Sequence, residues 1–497
     1  MRFPAPTQAL LLATILAAQG PALLPTTGKP VSDLEAFDQT IDAIMSKYHL
    51  PGGQLSIAKD GHLVLSRGYG YADVEKKQQV YRNSLFRIGS VSKTLTTIAI
   101  LKLVEADRLH LNDKAFRILA SLRPPKNATI DPRLYEITVQ QLLQHEGGWS
   151  KADPMELPQS RMAAATLGET DPPDCETIIR YQMSIPLDFT PGTKSSYSNF
   201  GFCVLGRIVE QVSQMPYEDF VKSAVLKPAG VTRMRVGGTR VLQRMPDEVR
   251  YYGQPGQPLA PSVFGGEGYV PFAYGGMYLD AVKAAGGWIA STDDLIRFVT
   301  AIDGQRGPAL LKQETVRLML ETPWQSNSRE KGLCWTVIQR ENGVDFWHTG
   351  AWKDSNAAWL VRTSNGVSLA IAFNSLPPDN AAFFHDFLPQ LLDVIGSVKR
   401  WPEGDLFRSP GGLQHPIGIR PAYSLRGRSP PSPSPGRQRS GHHRSLYVQA
   451  HLRHCHRKSR RSNARRAAGS HEAPPGRARH LLYQSAAEEA QLALPLF

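Results

Sequence analysis

The sequence predicts an α+β protein, with one antiparallel β-sheet built from both ends of a single domain, flanked by helices and interrupted by a mostly helical insertion. Three observations point there. Strand-like alternation opens the domain in "GGQLSIAKDGHLVLSRGYGYAD" (52–73) and returns near its end in "DFWHTGAW", "AAWLVRT" and "GVSLAIAFN" (345–374). Between about 115 and 285 the chain is loop-rich, with only short helical runs. An amphipathic stretch, "DNAAFFHDFLPQLLDVIGSV" (379–398), then closes the domain and can cover one face of the sheet.

Each element has a local reason. Asp60-Gly61 tolerates positive φ, so 52–73 reads as a β-hairpin. In "FRIGSVSKTLTTIAILKLVEADRLHLND" (86–113) a helix opens at Ser90, and Leu95, Ile98, Leu101 and Val104 recur as a stripe toward a core. "TVQQLLQH" (138–145) and "YSNFGFCVLGRIVEQVS" (197–213) are further helical runs. Ser364-Asn365-Gly366 joins the last two strand signals as a hairpin turn. The closing helix buries Phe384, Phe387, Leu388, Leu391 and Ile395 despite Pro389 in its interior. No internal repeat is evident.

The domain is expected over residues 33–401, between two segments of different character. Residues 1–22 carry Arg2, an apolar run from Ala9 to Ala18 and small residues at the end, the layout of a secretory signal peptide. A secreted or periplasmic location follows as an expectation, and no other apolar run is long enough to span a membrane. Net charge is +13 over 497 residues, but it is unevenly placed. Residues 401–497 hold 16 Lys and Arg against 5 Asp and Glu, leaving 41 against 39 in the first 400. Nucleic acid is therefore not an expected partner of the folded domain. Residues 402–497, rich in Arg, Ser, Pro and His, cannot bury enough apolar surface to offset chain entropy and are expected to be disordered. Their bias and abrupt onset also fit an out-of-frame reading of GC-rich DNA. A basic surface-binding protein acting through this tail is the reading from another functional class, and it would bind polyanions in a salt-sensitive way. His442, His443, His451, His454, Cys455 and His456 cluster there without a fold to fix ligand geometry, so no metal site is assigned. Cys175, Cys203, Cys334 and Cys455 share no close spacing. Cys203 and Cys334 read as packed core thiols; one disulfide is open after export, with the pair undetermined.

Chemistry enters at Ser90-Val91-Ser92-Lys93. A serine and a lysine three apart on a helix share a face, and the helix N-terminus favours negative charge developing at the serine. A neutral or hydrogen-bonded lysine there can take the hydroxyl proton. Alone the spacing is common; a capping serine and a solvated lysine produce it too. Tyr197-Ser198-Asn199 and His348-Thr349-Gly350 follow in order. Taken singly, these read as a core tyrosine, a turn asparagine and ordinary strand residues.

Together, and in this order, the three elements resemble the active-site motifs of the serine β-lactamase and penicillin-binding superfamily, in the form found in class C β-lactamases, DD-carboxypeptidases and related esterases. The resemblance runs from about 35 to 400 and includes "ITVQQLLQHEGG" (137–148) and "AAGGWIASTDDLIRFV" (284–299). It implies a β-lactamase/transpeptidase-like fold and an acyl-enzyme on Ser90. Lys93 would help remove the serine proton, and Tyr197 would pass protons to the leaving group and from water. Asn199 would hold the substrate's acyl side, with His348, Thr349, Gly350 and Ala351 lining it. The backbone N–H groups of Ser90 and Ala351 would form the oxyanion hole. His145 is read as structural.

The departures shift the expected substrate. β-lactamases usually carry Lys where this chain has His348; a mostly neutral imidazole offers no fixed cation to a β-lactam carboxylate. "GAWKDS" lacks a glycine-rich continuation, so Trp352 can wall the pocket, and Glu146 stands where relatives often have a small hydroxyl residue. The expectation is an exported serine hydrolase without cofactor or metal, cleaving esters or peptide-like amides in a small-molecule or peptide-like substrate. DD-carboxypeptidase or weak β-lactamase activity is the alternative within the fold, and a non-catalytic penicillin-sensing module the alternative outside catalysis.

Overall fold

The computed structural model describes residues 24–151, 153–321 and 332–408. The signal-peptide reading of 1–22, the tail from 409 onward and its histidine cluster lie outside the described residues.

The central sheet joins the two ends of the domain. Its strands are β1 (Thr26–Thr27), β2 (Gly52–Lys59), β3 (His62–Asp73), β4 (Thr336–Arg340), β5 (Gly343–Trp352), β6 (Asn356–Arg362) and β7 (Val367–Phe373). Among the described residues the order is β1-β3-β2-β7-β6-β5-β4, with Gln78–Gln79 added beside β3. Every pairing is antiparallel. The seam between the two ends runs from Gly53 opposite Phe373 to Lys59 opposite Val367. The hairpin turn expected at Asp60-Gly61 is present, with φ of +49° and +77°.

Both sheet faces are covered, and residue size separates them. β7 is buried along its whole length. Its Leu369, Ile371 and Phe373 meet α1 (Glu35–Lys47) and the closing helix (Asn380–Ser397), where Phe37, Ile41, Phe383, Phe387 and Leu391 are buried. Its Ala370 and Ala372 belong to the core on the opposite face. Small side chains there let the helix Thr292–Ala301 lie close to the strands. The helical insertion fills the rest of that layer.

α2 (Ser92–Glu105) departs from the expected single stripe. Leu95, Ile98 and Leu101 are fully buried, but so are Thr94, Thr96, Thr97 and Ile100. The helix is enclosed by neighbours on all sides, so hydropathy carries no face preference. Its hydroxyls are satisfied internally: Thr97 donates to the Lys93 carbonyl and Thr96 to the Ala284 carbonyl.

One further expectation changes. Cys203 is not a free thiol; it is bonded to Cys175, tying the helix Cys175–Gln182 to the helix Asn199–Ser213. Closing a loop of this length restricts the unfolded chain by roughly 3–4 kcal/mol. Cys334 is buried and free, as expected. Residues on either side of 33–401 also make contacts with it. Thr26 and Thr27 pair with Tyr69 and Gly68. At the other end Phe407 lies 3.7 Å from Arg297 and 4.3 Å from Arg306, while Asp405 accepts from Arg306 at 2.8 Å.

Candidate active site

Ser90 sits in a 3-10 turn, Gly89–Val91, immediately before α2, and Lys93 is the second residue of the α-helix. The Lys93 Nζ reaches Ser90 Oγ at 3.0 Å, Asn199 Oδ1 at 2.8 Å and the Ala285 carbonyl at 2.9 Å. Ser90 is partly exposed, whereas Lys93 is fully buried. Burial pushes the ammonium down to about 7, although the thiol of Cys334 and the carboxyl of Asp153 pull it the other way. A neutral amine has two N–H bonds and one lone pair. Asn199 Oδ1 and the Ala285 carbonyl can only accept, so they take the two N–H bonds and the lone pair is left for Ser90 O–H.

Tyr197 lies on the other side of the hydroxyl. Its O–H donates to Ser90 Oγ at 2.6 Å. Burial raises the phenol further above its ordinary value, so the resting tyrosine is a proton donor. The Lys93 Nζ lies 4.7 Å from the Tyr197 ring centroid, close enough to stabilise a phenolate once the lysine is charged.

Local structure explains how the tyrosine is held. Ser198 caps the helix Asn199–Ser213 by accepting from the Gly201 N–H, which fixes Asn199 as its first residue. The Ser198 N–H donates to Nδ1 of His145 at 3.1 Å, and the His145 ring packs against Tyr197 with centroids 4.5 Å apart. A backbone N–H can only donate, so His145 Nδ1 is unprotonated. His145 thus supports the tyrosine from behind, which gives the structural reading of this residue a specific content.

β5 brings its backbone directly against the serine turn. A Cβ placed on Gly350 would fall 2.0 Å from the Ile88 carbonyl oxygen and 3.0 Å from Ser90 N; one on Gly89 would fall 2.6 Å from Ala351 N. Only glycine allows this approach, and Gly89 also has φ of +49°. Of the other strand residues, His348 is buried, with Nδ1 2.5 Å from the Thr349 carbonyl. A carbonyl accepts only, so Nδ1 carries the proton. Trp347 and Ala351 pack with the α1 side, so Thr349 between them alternates to that face, away from the one shared by His348 and Gly350. Trp352 packs against Gly286: its indole N–H donates to the Gly286 carbonyl at 2.8 Å, and a Cβ on Gly286 would meet the ring at 2.4 Å. The segment Lys283–Gly286 is therefore clamped between Lys93, through Ala285, and Trp352. Pairing of β4 with β5 begins at Trp347, so among the described residues the sheet partner of 349–352 is β6 alone.

The family model described as Beta-lactamase matches residues 37–390, well over half of the chain. The chain belongs to the Beta-lactamase family. This family member is 29% identical over 198 residues to Protein flp of Staphylococcus aureus (strain COL), a match covering 40% of this chain and 37% of that protein. The chain thus spans little more than a third of the length of that relative. To Penicillin-binding protein 4* of Bacillus subtilis (strain 168) it is 28% identical over 329 residues, covering 63% of this chain and 66% of the other. Among solved structures, the D-amino acid amidase from Ochrobactrum anthropi SV3 superimposes with a TM-score of 0.57 at 20% identity, covering 74% of this chain and all of that one, a likeness of fold.

Two contributors to this Beta-lactamase-family site carried no signal in the sequence. The Ala285 carbonyl is a backbone atom and leaves no mark in residue type. Asp153, in a loop, accepts from Asn199 Nδ2 at 2.8 Å and reaches the site only through the fold. Among the described residues no cluster of metal-ligating side chains is present.

Proposed function

We propose that this chain hydrolyses esters or peptide-like amides through an acyl-enzyme on Ser90. The observation that carries the reading is the Lys93 Nζ 3.0 Å from Ser90 Oγ, with two obligate acceptors, Asn199 Oδ1 and the Ala285 carbonyl, at 2.8 and 2.9 Å; as a neutral amine it then has its lone pair left for Ser90 O–H. Lys93 takes the serine proton as Oγ bonds to the substrate carbonyl carbon. The backbone N–H groups of Ser90 and Ala351 hold the oxyanion. As the tetrahedral adduct collapses, the bond to the leaving group breaks and Tyr197 O–H supplies that group's proton. In deacylation, water gives its proton to the Tyr197 phenolate and attacks the acyl carbon. Ser90 Oγ departs and recovers its proton from the Lys93 ammonium. The two half-reactions leave both side chains as they began.

The single sheet partner of 349–352 supports an extended, peptide-like acyl group, which can add beside these residues as a further strand. Asn199 and His348 stand beside that path. His348 provides no fixed cation, which favours esters, lactones and neutral amides over β-lactams bearing a carboxylate. Residues 1–22 are read as an export signal, so the enzyme works outside the cytoplasm. No helix among the described residues is long and apolar enough to cross a membrane.

The test is turnover of a short p-nitrophenyl ester by the mature chain, alongside fluorophosphonate labelling, in wild type and Ser90→Ala. Loss of both in the variant is expected; turnover that survives it would remove the acyl-enzyme reading. Stoichiometric labelling by a fluorescent penicillin without turnover of esters, D-Ala-D-Ala peptides, lactones or nitrocefin would instead favour a sensor.

A further inference from the structure

We infer that Asp153 is a positioning residue for the reaction, fixing which end of the Asn199 amide faces Lys93. The inference rests on the acyl-enzyme reading of Ser90 and extends its hydrogen-bonded chain by one residue. Asp153 Oδ2 accepts from Asn199 Nδ2 at 2.8 Å, and Oδ1 accepts from the Met155 N–H at 3.0 Å. Asn199 Oδ1 accepts from Lys93 at 2.8 Å, and Lys93 meets Ser90 Oγ at 3.0 Å. Four side chains thus run in series from a loop carboxylate to the nucleophile.

The order of atoms in that chain matters because an asparagine amide has two chemically opposite ends of nearly equal size. Burial raises the Asp153 carboxyl, while the Met155 N–H, the Asn199 amide and Lys93 pull it back down; in its ionised form it only accepts, so it holds the NH2 end and turns the oxygen toward Lys93. With the amide reversed, Asn199 would present N–H bonds to the neutral amine. One of them would occupy the lone pair that otherwise faces Ser90 O–H. The lysine would then be present, correctly placed and unable to accept the serine proton. Asp153 acts through Asn199 and touches no reacting atom.

Charge provides a second, separable effect. Asp153 faces Lys93 across Asn199 and Glu156 within its own loop; Lys93 also faces Cys334 and the Tyr197 ring, and Glu156 faces Lys353. Among the described residues no Lys or Arg lies within ion-pair distance of Asp153, so its field is felt at Lys93, where it favours the ammonium. Removing the charge moves the lysine titration to lower pH.

The experiment compares Asp153→Ala and Asp153→Asn with wild type in the full chain, reading kcat and kcat/KM for a p-nitrophenyl ester between about pH 5 and 9. Asparagine can still accept from Asn199 Nδ2, whereas alanine leaves the amide free to turn. The expected result is a plateau kcat about tenfold or more lower in Asp153→Ala and within about threefold of wild type in Asp153→Asn. The acid limb moves to lower pH in both. Equal impairment of the two variants with an unmoved acid limb would mark Asp153 as merely structural and overturn the inference. So would wild-type rates in Asp153→Ala. Ser90→Ala and fluorophosphonate labelling report separately on the acyl-enzyme, so a failure here is distinguishable from a failure of that reading.

Discussion

Replacing Lys93 with methionine is expected to lower kcat/KM for ester hydrolysis by about 10²–10⁴-fold, the range associated with loss of a positioned general base. Methionine has nearly the length of lysine and suits a fully buried position, so the cavity stays filled. What disappears is the acceptor for the Ser90 proton. The side chain also abandons two buried acceptors, Asn199 Oδ1 and the Ala285 carbonyl. Each unsatisfied group costs about 1–3 kcal/mol, so a lower melting temperature accompanies the lost activity. Stopped-flow acylation and a thermal melt on the same sample separate the two effects. An acylation rate within tenfold of wild type would show that another group accepts the proton.

The second large effect is expected from Gly350→Ala. The added methyl would lie 2.0 Å from the Ile88 carbonyl oxygen, inside any tolerable contact, so β5 and the serine turn must separate. That separation pulls the Ser90 and Ala351 N–H groups out of register around the oxyanion. Loss of one such donor lowers kcat by about 10²–10³-fold. The strand segment 349–352 shifts with it, so KM for extended substrates rises as well. Acylation kinetics with a short and an extended ester report both terms. A near-normal rate with the short ester would mean that the contact between β5 and the turn is packing alone.

Much of this architecture was legible because it is written locally. The Asp60-Gly61 turn, the paired hydrophobic runs at both ends and the closing helix each declare themselves within a few residues, and antiparallel pairing follows from their order. The site was legible for a different reason: Ser90, Lys93, Tyr197 and Asn199 are side chains whose combination is rare. What escaped was set by tertiary contact. Cys203 sits among apolar residues in its helix and looks like any core thiol; only the fold brings Cys175 within bonding distance. α2 reads as a striped helix because its hydroxyl residues look polar, yet they bond to neighbouring carbonyls and are buried. Phe407 lies in a segment whose composition resembles the tail, and its docking depends on Arg297 and Arg306, a hundred residues earlier. Asp153 is an ordinary loop aspartate until Asn199 is placed beside it.

The proposed reaction requires Lys93 to enter it as a neutral amine. The pH dependence of Ser90 acylation by a neutral p-nitrophenyl ester reads this directly, because only the unprotonated lysine can accept the hydroxyl proton. With its value pushed down to about 7, the rate should rise through that pH and level off above it. A rate that climbs only above about pH 9, where an ordinary lysine begins to lose its proton, would contradict the account.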